Sequence, residues 1–200
     1  AGDLDGYVSL VELEFLRLAP HVGGVHRHID GDVADDADAE TVDVALERAP
    51  LPEEEPEAVV QVYSARAFGW RKYFGVHTWI AVKEKNAGSY TVYQVMGYQL
   101  PARGTSVSIS RDIPDRKWFG AEPDLIQELR GKAAERAIPA ISRTAEEYPE
   151  ADTYRLIPGP NSNTFTAALM REVPELTVEL PPHAVGKDYL PGGIAGRTES

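Results

Sequence analysis

The sequence contains no cysteine, and this absence removes whole classes of chemistry. Without cysteine the chain cannot form disulfides, hold a metal through thiolates or use a cysteine nucleophile. No apolar run approaches the length of a membrane span, so no membrane-spanning helix is predicted. The lack of a strongly basic face argues against a nucleic-acid partner.

Charge is unevenly distributed along the 200 residues. Residues 1–57 contain 16 acidic and 3 basic side chains, a net of −13, and residues 58–200 contain 16 acidic and 17 basic ones, a net of +1. The two values add up to the −12 of the whole chain. This asymmetry predicts two differently built parts, a short acidic helical appendage and a main domain with a true core.

The acidic start of the chain can be aligned with a calcium-binding loop. Candidate ligands occur at the spacing of a twelve-residue EF-hand loop, with Gly6 at the sharp turn: Asp3, Asp5, Tyr7, Ser9 and Glu12. Position one is Ala1, so one ligand is missing. A second, more degenerate loop can be placed on residues 32–43. Residues 1–49 thus resemble the EF-hand superfamily and dockerin modules, which implies possible calcium binding, although an acidic tail with one capped helix remains the alternative.

Residues 50–57, P-L-P-E-E-E-P-E, predict a linker between the appendage and a main domain over 58–200. In that domain, alternation predicts strands over 58–68, 75–82 and 90–98, the last two forming a hairpin, and a further short strand over 106–110. Helical spacing over 122–148, interrupted at Gly131 and Pro139, predicts one kinked helix or two. A strand over 152–157 and a helix opening at Asn161 complete an α+β domain, an antiparallel sheet packed with helices.

The stretch G-P-N-S-N-T-F introduces the last predicted helix, and we call Asn161–Asn163 the Asn-Ser-Asn corner. Asn and Ser are favoured helix caps, and a hydroxyl there lies near unpaired backbone N–H groups and the positive end of the helix dipole. Ser162 is therefore a candidate nucleophile. A well-capped helix without any chemistry explains the same residues.

His77 is the candidate base, because a serine hydroxyl needs a neutral imidazole within reach to become nucleophilic. An ordinary core histidine is the alternative. The group that orients His77 depends on the hairpin register: one register brings Tyr93 and Val95 onto its face, and a one-residue slip brings Gln94 and Met96. Gln94 is the better orienting group chemically. Further candidates for binding substrate are Asn161, Asn163, Trp79, Tyr98 and Trp118.

The order H-T-W on a strand followed by N-S-N-T-F at a helix resembles the circularly permuted branch of the papain-like (NlpC/P60) superfamily. Desumoylating isopeptidases and the lecithin:retinol acyltransferase group belong to that branch. The resemblance implies a permuted papain-like fold, with His77 as general base and Ser162 where those enzymes carry cysteine. It implies a hydrolase or acyltransferase acting on an amide or ester of a peptide, cell-wall or small acyl substrate.

Residues 58–193 also resemble a bacterial family catalogued as domain of unknown function 3750. The resemblance lies in the blocks S-A-R-A-F-G-W, V-H-T-W-I-A-V-K, W-F-G, G-P-N-S-N-T-F and G-K-D-Y-L-P. Because serine replaces the thiol, two further functions stay open: an inactive module that binds a peptide or lipid, and a structural subunit with a protein partner. We expect a location in the bacterial cell envelope, periplasmic or extracellular. No cofactor is expected for the main domain.

Overall fold

The computed structural model describes residues 49–69, 73 and 75–190. The predicted calcium ligands Asp3, Asp5, Tyr7, Ser9 and Glu12, and the second loop over 32–43, lie outside the described residues. The account below therefore concerns the main domain and the segment that leads into it.

The described domain is α+β and is built on a five-stranded antiparallel sheet. In spatial order the strands run β4-β3-β2-β1-β5. Their bounds are β1 Val59–Arg66, β2 Val76–Lys83, β3 Thr91–Val95, β4 Val107–Arg111 and β5 Pro123–Arg130. The predicted hairpin is confirmed as β2 and β3, and the short strand predicted over 106–110 is confirmed as β4. The strand predicted over 90–98 ends at Val95, and Gly97–Gln99 form a 3-10 helix instead.

Three α-helices are described: α1 Leu100–Arg103, α2 Gly131–Glu146 and α3 Ser162–Arg171. The short α1 has no buried residue, and α2 and α3 cover one face of the sheet. Alternate strand residues such as Val60, Val62 and Ile80 point into a core that also contains Ile141 of α2 and Phe165 of α3. The hydrophobic effect thus holds α2 and α3 on this face, which we call the helix face.

The opposite face has its own smaller core, and we call it the tryptophan face. Tyr63, Trp79 and Val92 project there from neighbouring strands. Trp118, in the loop before β5, packs against them. Because successive strand residues point to opposite sides, His77 belongs to this face and Thr78 to the helix face.

Two sequence predictions were wrong. The stretch 122–148, predicted to be helical, begins with strand β5, which pairs along almost the whole of β1. The helix starts only at Gly131, whose φ of +56° suits a break between strand and helix. Pro139 does not interrupt α2. The strand predicted over 152–157 is replaced by turns, in which the Arg155 N–H donates to the Pro160 carbonyl at 2.8 Å.

The predicted linker is bound to the sheet. The Tyr90 hydroxyl donates to the Pro50 carbonyl at 3.1 Å, and the buried Lys83 ammonium donates to the Glu57 carbonyl at 2.7 Å. Arg130 forms an ion pair with Glu55 at 2.6 Å. These contacts attach residues 50–57 to the ends of β2 and β5 and to the start of β3.

Candidate functional site

The Asn-Ser-Asn corner is a fully formed helix cap. The Asn161 carboxamide oxygen accepts hydrogen bonds from the Asn163 N–H at 2.9 Å and the Thr164 N–H at 3.2 Å. In return, the Thr164 hydroxyl accepts from the Asn161 N–H at 3.2 Å. This capping box satisfies three backbone donors that the helix start would otherwise leave unpaired.

The same residues bind the C-terminal arm, residues 180–190. Asn161 Nδ2 donates to the Leu156 carbonyl at 2.9 Å and to the Val185 carbonyl at 3.0 Å. The Thr164 hydroxyl donates to the Gly186 carbonyl at 2.7 Å. Gly186 has a φ of +91°, and a Cβ there would lie 2.5 Å from Asn161 Nδ2, so only glycine fits.

Asn163 connects the corner to strand β2. Its amide nitrogen donates to the Val76 carbonyl at 3.1 Å and the Val185 carbonyl at 2.9 Å, and its amide oxygen accepts from the Thr78 hydroxyl at 3.0 Å. The β2–β3 pairing extends only from Ile80 to Val82. Before Ile80, the backbone of β2 bonds the corner and the C-terminal arm instead of β3. The Val76 carbonyl accepts from Asn163, and the Val76 N–H donates to the His183 carbonyl at 3.3 Å.

His77 is held by an amide and two indoles. Its Nε2 lies 3.1 Å from Gln94 Oε1, and its ring stacks on Trp118 with centroids 3.7 Å apart. Because an amide oxygen only accepts, Nε2 carries the proton and the lone pair is on Nδ1. Burial lowers the pKa of His77 from 6.5 to about 4, with the Gln94 hydrogen bond acting in the opposite direction. The imidazole is therefore neutral at physiological pH.

The structure settles the hairpin register that the sequence left open. Ile80 pairs with Tyr93 and Val82 with Thr91, which brings Gln94 onto the face of His77 and turns Tyr93 to the helix face. Of the two registers, the structure has the one with Gln94 beside the imidazole.

Ser162 and His77 lie at the same end of the sheet but are not hydrogen-bonded to each other. Both neighbours of His77, Val76 and Thr78, bond Asn163, the residue that follows Ser162. Thr78 rather than His77 projects to the helix face, and the imidazole makes its hydrogen bond with Gln94. The structure brings the two candidates into one neighbourhood without forming a dyad.

Ser162 differs from the two asparagines of the corner in its hydrogen bonding. Within the described residues its hydroxyl makes no hydrogen bond, and neither does His77 Nδ1. Both residues are 6% exposed. Among the described residues, two side-chain polar atoms are both inaccessible to solvent and without a hydrogen-bond partner, the Tyr148 hydroxyl and the Thr166 hydroxyl, and the atoms of Ser162 and His77 are not among them. The free atoms of Ser162 and His77 therefore keep some contact with solvent.

Of the other predicted binding residues, Trp79 and Trp118 lie on the tryptophan face, and Tyr98 lies just beyond the end of β3. Trp79 is 3% exposed and donates from Nε1 to the Pro114 carbonyl at 2.8 Å, which makes it a core residue. Trp118 covers the imidazole. The Tyr98 hydroxyl lies 2.8 Å from the Met96 sulfur, just beyond the end of β3.

Two residues that position the site were missed from the sequence. Thr78 follows His77 directly, and the alternation of side chains along a strand was enough to place it toward the helix. Gly186 belongs to the G-K-D-Y-L-P block, but its contact with the corner depends on the path of the C-terminal arm. No sequence pattern marks that path.

Backbone donors at the helix start are scarce. Asn161 already occupies the N–H groups of Asn163 and Thr164, whereas no partner is found for the Ser162 N–H within the described chain. One backbone donor, beside the hydroxyl it would assist, is thus available to an oxyanion. In the part of the chain that is described, no cluster of three or more His, Asp or Glu side chains could hold a metal.

Three comparisons bear on the identity of the chain. A family model described as "Protein of unknown function (DUF3750)" matches residues 57–189. No curated protein and no solved structure matches the chain.

Of the described helices, none has the length and apolar character needed to cross a membrane.

Proposed function

We propose that this chain, which belongs to the DUF3750 family, is a serine-dependent hydrolase or acyltransferase with a permuted papain-like site. Its substrate would be an amide or ester bond in a peptide or a cell-wall-type stem peptide. Ser162 is the nucleophile, His77 the general base and Gln94 the group that orients His77. This substrate class implies a location in the bacterial cell envelope, periplasmic or extracellular.

The observation that carries the proposal is the hydrogen bond between His77 Nε2 and Gln94 Oε1. It fixes the tautomer in which Nδ1 has the lone pair, and a general base needs that lone pair. The Trp118 stack restricts rotation of the ring. The Ser162 hydroxyl, which makes no hydrogen bond within the described residues, is the complementary group in this proposal.

The chemistry follows from these roles. Ser162 Oγ attacks the carbonyl carbon of the substrate and passes its proton to His77 Nδ1, while the Ser162 N–H faces the developing oxyanion. The imidazolium then protonates the leaving amine or alcohol, and an acyl-serine ester remains. Water, or an acceptor amine or alcohol, attacks this ester with His77 again taking the proton. The hydroxyl and the imidazole must approach each other when substrate binds.

A second function is favoured by two specific observations. With its pKa lowered to about 4, His77 is a weak base for a serine hydroxyl, and no hydrogen bond joins the two groups. An inactive papain-like module that binds a peptide or lipid, or a structural subunit of an envelope complex, would tolerate both features. The corner would then serve to fix the C-terminal arm beside the binding surface.

Covalent labelling with a fluorophosphonate, followed by intact mass, separates these functions. The wild-type chain is expected to gain one adduct, a phosphonate ester on the Ser162 oxygen. Ser162→Ala abolishes the adduct, His77→Gln slows it strongly, and Ser110→Ala, which changes an exposed serine on β4, leaves it unchanged.

The hydrolase proposal fails if the wild-type chain is not labelled while remaining folded by circular dichroism. It also fails if Ser162→Ala is labelled as fast as the wild type. In either case the binding module becomes the function to pursue.

A further inference from the structure

A cavity of about 350 Å³ lies between the C-terminal end of α2 and the outer side of α3. Arg143, Glu147 and Tyr148 line it from the end of α2, and Arg171 and Glu172 line it from the end of α3. Three residues of α3 line the cavity, namely Thr164, Ala168 and Arg171. They lie on one stripe of the helix, and Ser162 is not part of that stripe. Neither Ser162 nor His77 lines the cavity, which shares only Thr164 with the capping box of α3.

The four charged side chains of the cavity are not paired with one another. Arg143, Glu147, Arg171 and Glu172 take part in no ion pair within the described residues, although other surface charges do. Two cations and two anions thus share one concave, solvent-exposed surface without forming an ion pair there. A ligand that carries charges of both signs can satisfy them together.

Tyr148 provides an independent observation at the same cavity. It is 7% exposed, and its hydroxyl is sealed from solvent and without a hydrogen-bond partner in the described part of the chain. Burial and then Glu150 raise the pKa of this hydroxyl, and the charge of Arg171 acts on it in the opposite direction. A buried hydroxyl without an acceptor is costly, and such groups are often found at functional sites.

We propose that this cavity binds a small zwitterion of the amino-acid or short-peptide class. The carboxylate lies between the Arg143 and Arg171 guanidinium groups, whose planar forks suit carboxylate oxygens. The ammonium group pairs with Glu147 and Glu172. The Tyr148 hydroxyl donates to the ligand carboxylate once its side chain turns toward the cavity.

Isothermal titration calorimetry of the full chain with the dipeptide alanyl-alanine tests this directly. We expect binding, and we expect N-acetyl-alanyl-alanine and alanyl-alanine amide, which each lack one charge, to bind about tenfold more weakly. Inorganic phosphate is the comparison for a plain anion site. Binding that is equally strong for phosphate, or unaffected when either charge is removed, overturns the zwitterion proposal.

Variants assign the residues. Arg143→Gln with Arg171→Gln should weaken every ligand that has a carboxylate, and Glu147→Gln with Glu172→Gln should weaken only ligands that have a free amine. Lys132→Gln changes an exposed cation on α2 outside the cavity and is the matched control. Ser162→Ala should bind as the wild type does, which separates this site from the proposed catalytic one.

Tyr148→Phe gives a readout that a purely structural tyrosine would not produce. Removal of an unpaired buried hydroxyl should leave Tm unchanged or raise it, whereas dipeptide affinity should fall several-fold. Unchanged affinity in this variant excludes the hydroxyl from the site. No binding of the dipeptide to the folded wild-type chain in the millimolar range, or binding unaffected by the double arginine variant, overturns the proposal as a whole.

Discussion

At the scale of single residues, the Asn-Ser-Asn corner combines two kinds of side chain. Asn161 and Asn163 both donate to backbone carbonyls and both accept, so their amide groups are fully used in holding the fold. Ser162, between them, forms no such bond. Ser162, the candidate nucleophile, thus differs from Asn161 and Asn163 in that its side chain adds no hydrogen bond to the fold.

This difference predicts opposite results for two alanine variants. Asn163→Ala removes three hydrogen bonds and leaves the Thr78 hydroxyl and the Val76 carbonyl without partners, so it should lower the free energy of unfolding by about 2–3 kcal/mol. Ser162→Ala should change it by less than about 0.5 kcal/mol. Urea denaturation measures both, and a large loss for Ser162→Ala would contradict a free hydroxyl.

His77 should make stability depend on pH. Because its pKa in the folded chain is about 4, the unfolded chain takes up a proton near pH 6.5 that the folded chain does not accept. Stability should therefore fall as the pH decreases from about 6.5 to about 4, by about 3 kcal/mol in total, and this contribution should level off below that range.

The measurement is urea denaturation at a series of pH values for the wild type and His77→Gln. The variant lacks the titrating ring, so its stability should fall less steeply through this window, while other groups titrate equally in both chains. Parallel curves for the two proteins would contradict a buried, neutral imidazole.

The identity of the group that orients His77 shows the limit of sequence reasoning at this scale. The sequence identified His77, Ser162 and Gln94 as candidates from their chemistry. It could not choose between Tyr93 and Gln94, because a slip of one residue in the hairpin changes every side chain's face. The β2–β3 pairing decides this, and it depends on contacts across the whole sheet.

At the scale of elements, the site depends on the joint between β2, the start of α3 and the C-terminal arm. Gly186 of the arm lies directly against the Asn161 amide in that joint. Its positive φ and the short distance to this amide exclude a side chain. Gly186→Ala should cost at least about 2 kcal/mol and speed hydrogen exchange in the first turn of α3. The control Gly88→Ala has open space around it and should have little effect.

Equal stability of these two glycine variants would mean that the arm does not hold the corner.

The elements that the sequence predicted well are those with strong local patterns. The β2–β3 hairpin has clear alternation and a turn, whereas the stretch over 122–130 has Leu125, Ile126 and Leu129 at a spacing that also suits a helix. Pairing with β1 overrides that local preference. Pro139 was expected to divide or kink the helical stretch, but α2 continues through it as one helix and still presents Ile138 and Ile141 to the core.

At the scale of the whole molecule, the net negative charge lies in the first 57 residues, which carry −13 against +1 for the remainder, and only residues 49–57 of that segment are described. A calcium site in the first twelve residues remains a proposal. With Ala1 at the first ligand position, we expect weak, millimolar affinity. Calorimetry of the full chain should show calcium heat that is lost in the Asp3→Asn/Asp5→Asn variant, and the absence of heat in the wild type would remove the proposal.

The central claim is that Ser162 and His77 act as a pair, and the lack of cysteine allows a direct test. Ser162→Cys introduces a single thiol, whose alkylation by iodoacetamide can be followed by intact mass across pH. If the pair exists, alkylation should proceed well below the pH at which a free thiol reacts, and His77→Gln in the same chain should remove this advantage. An ordinary thiol profile that His77→Gln leaves unchanged would contradict it.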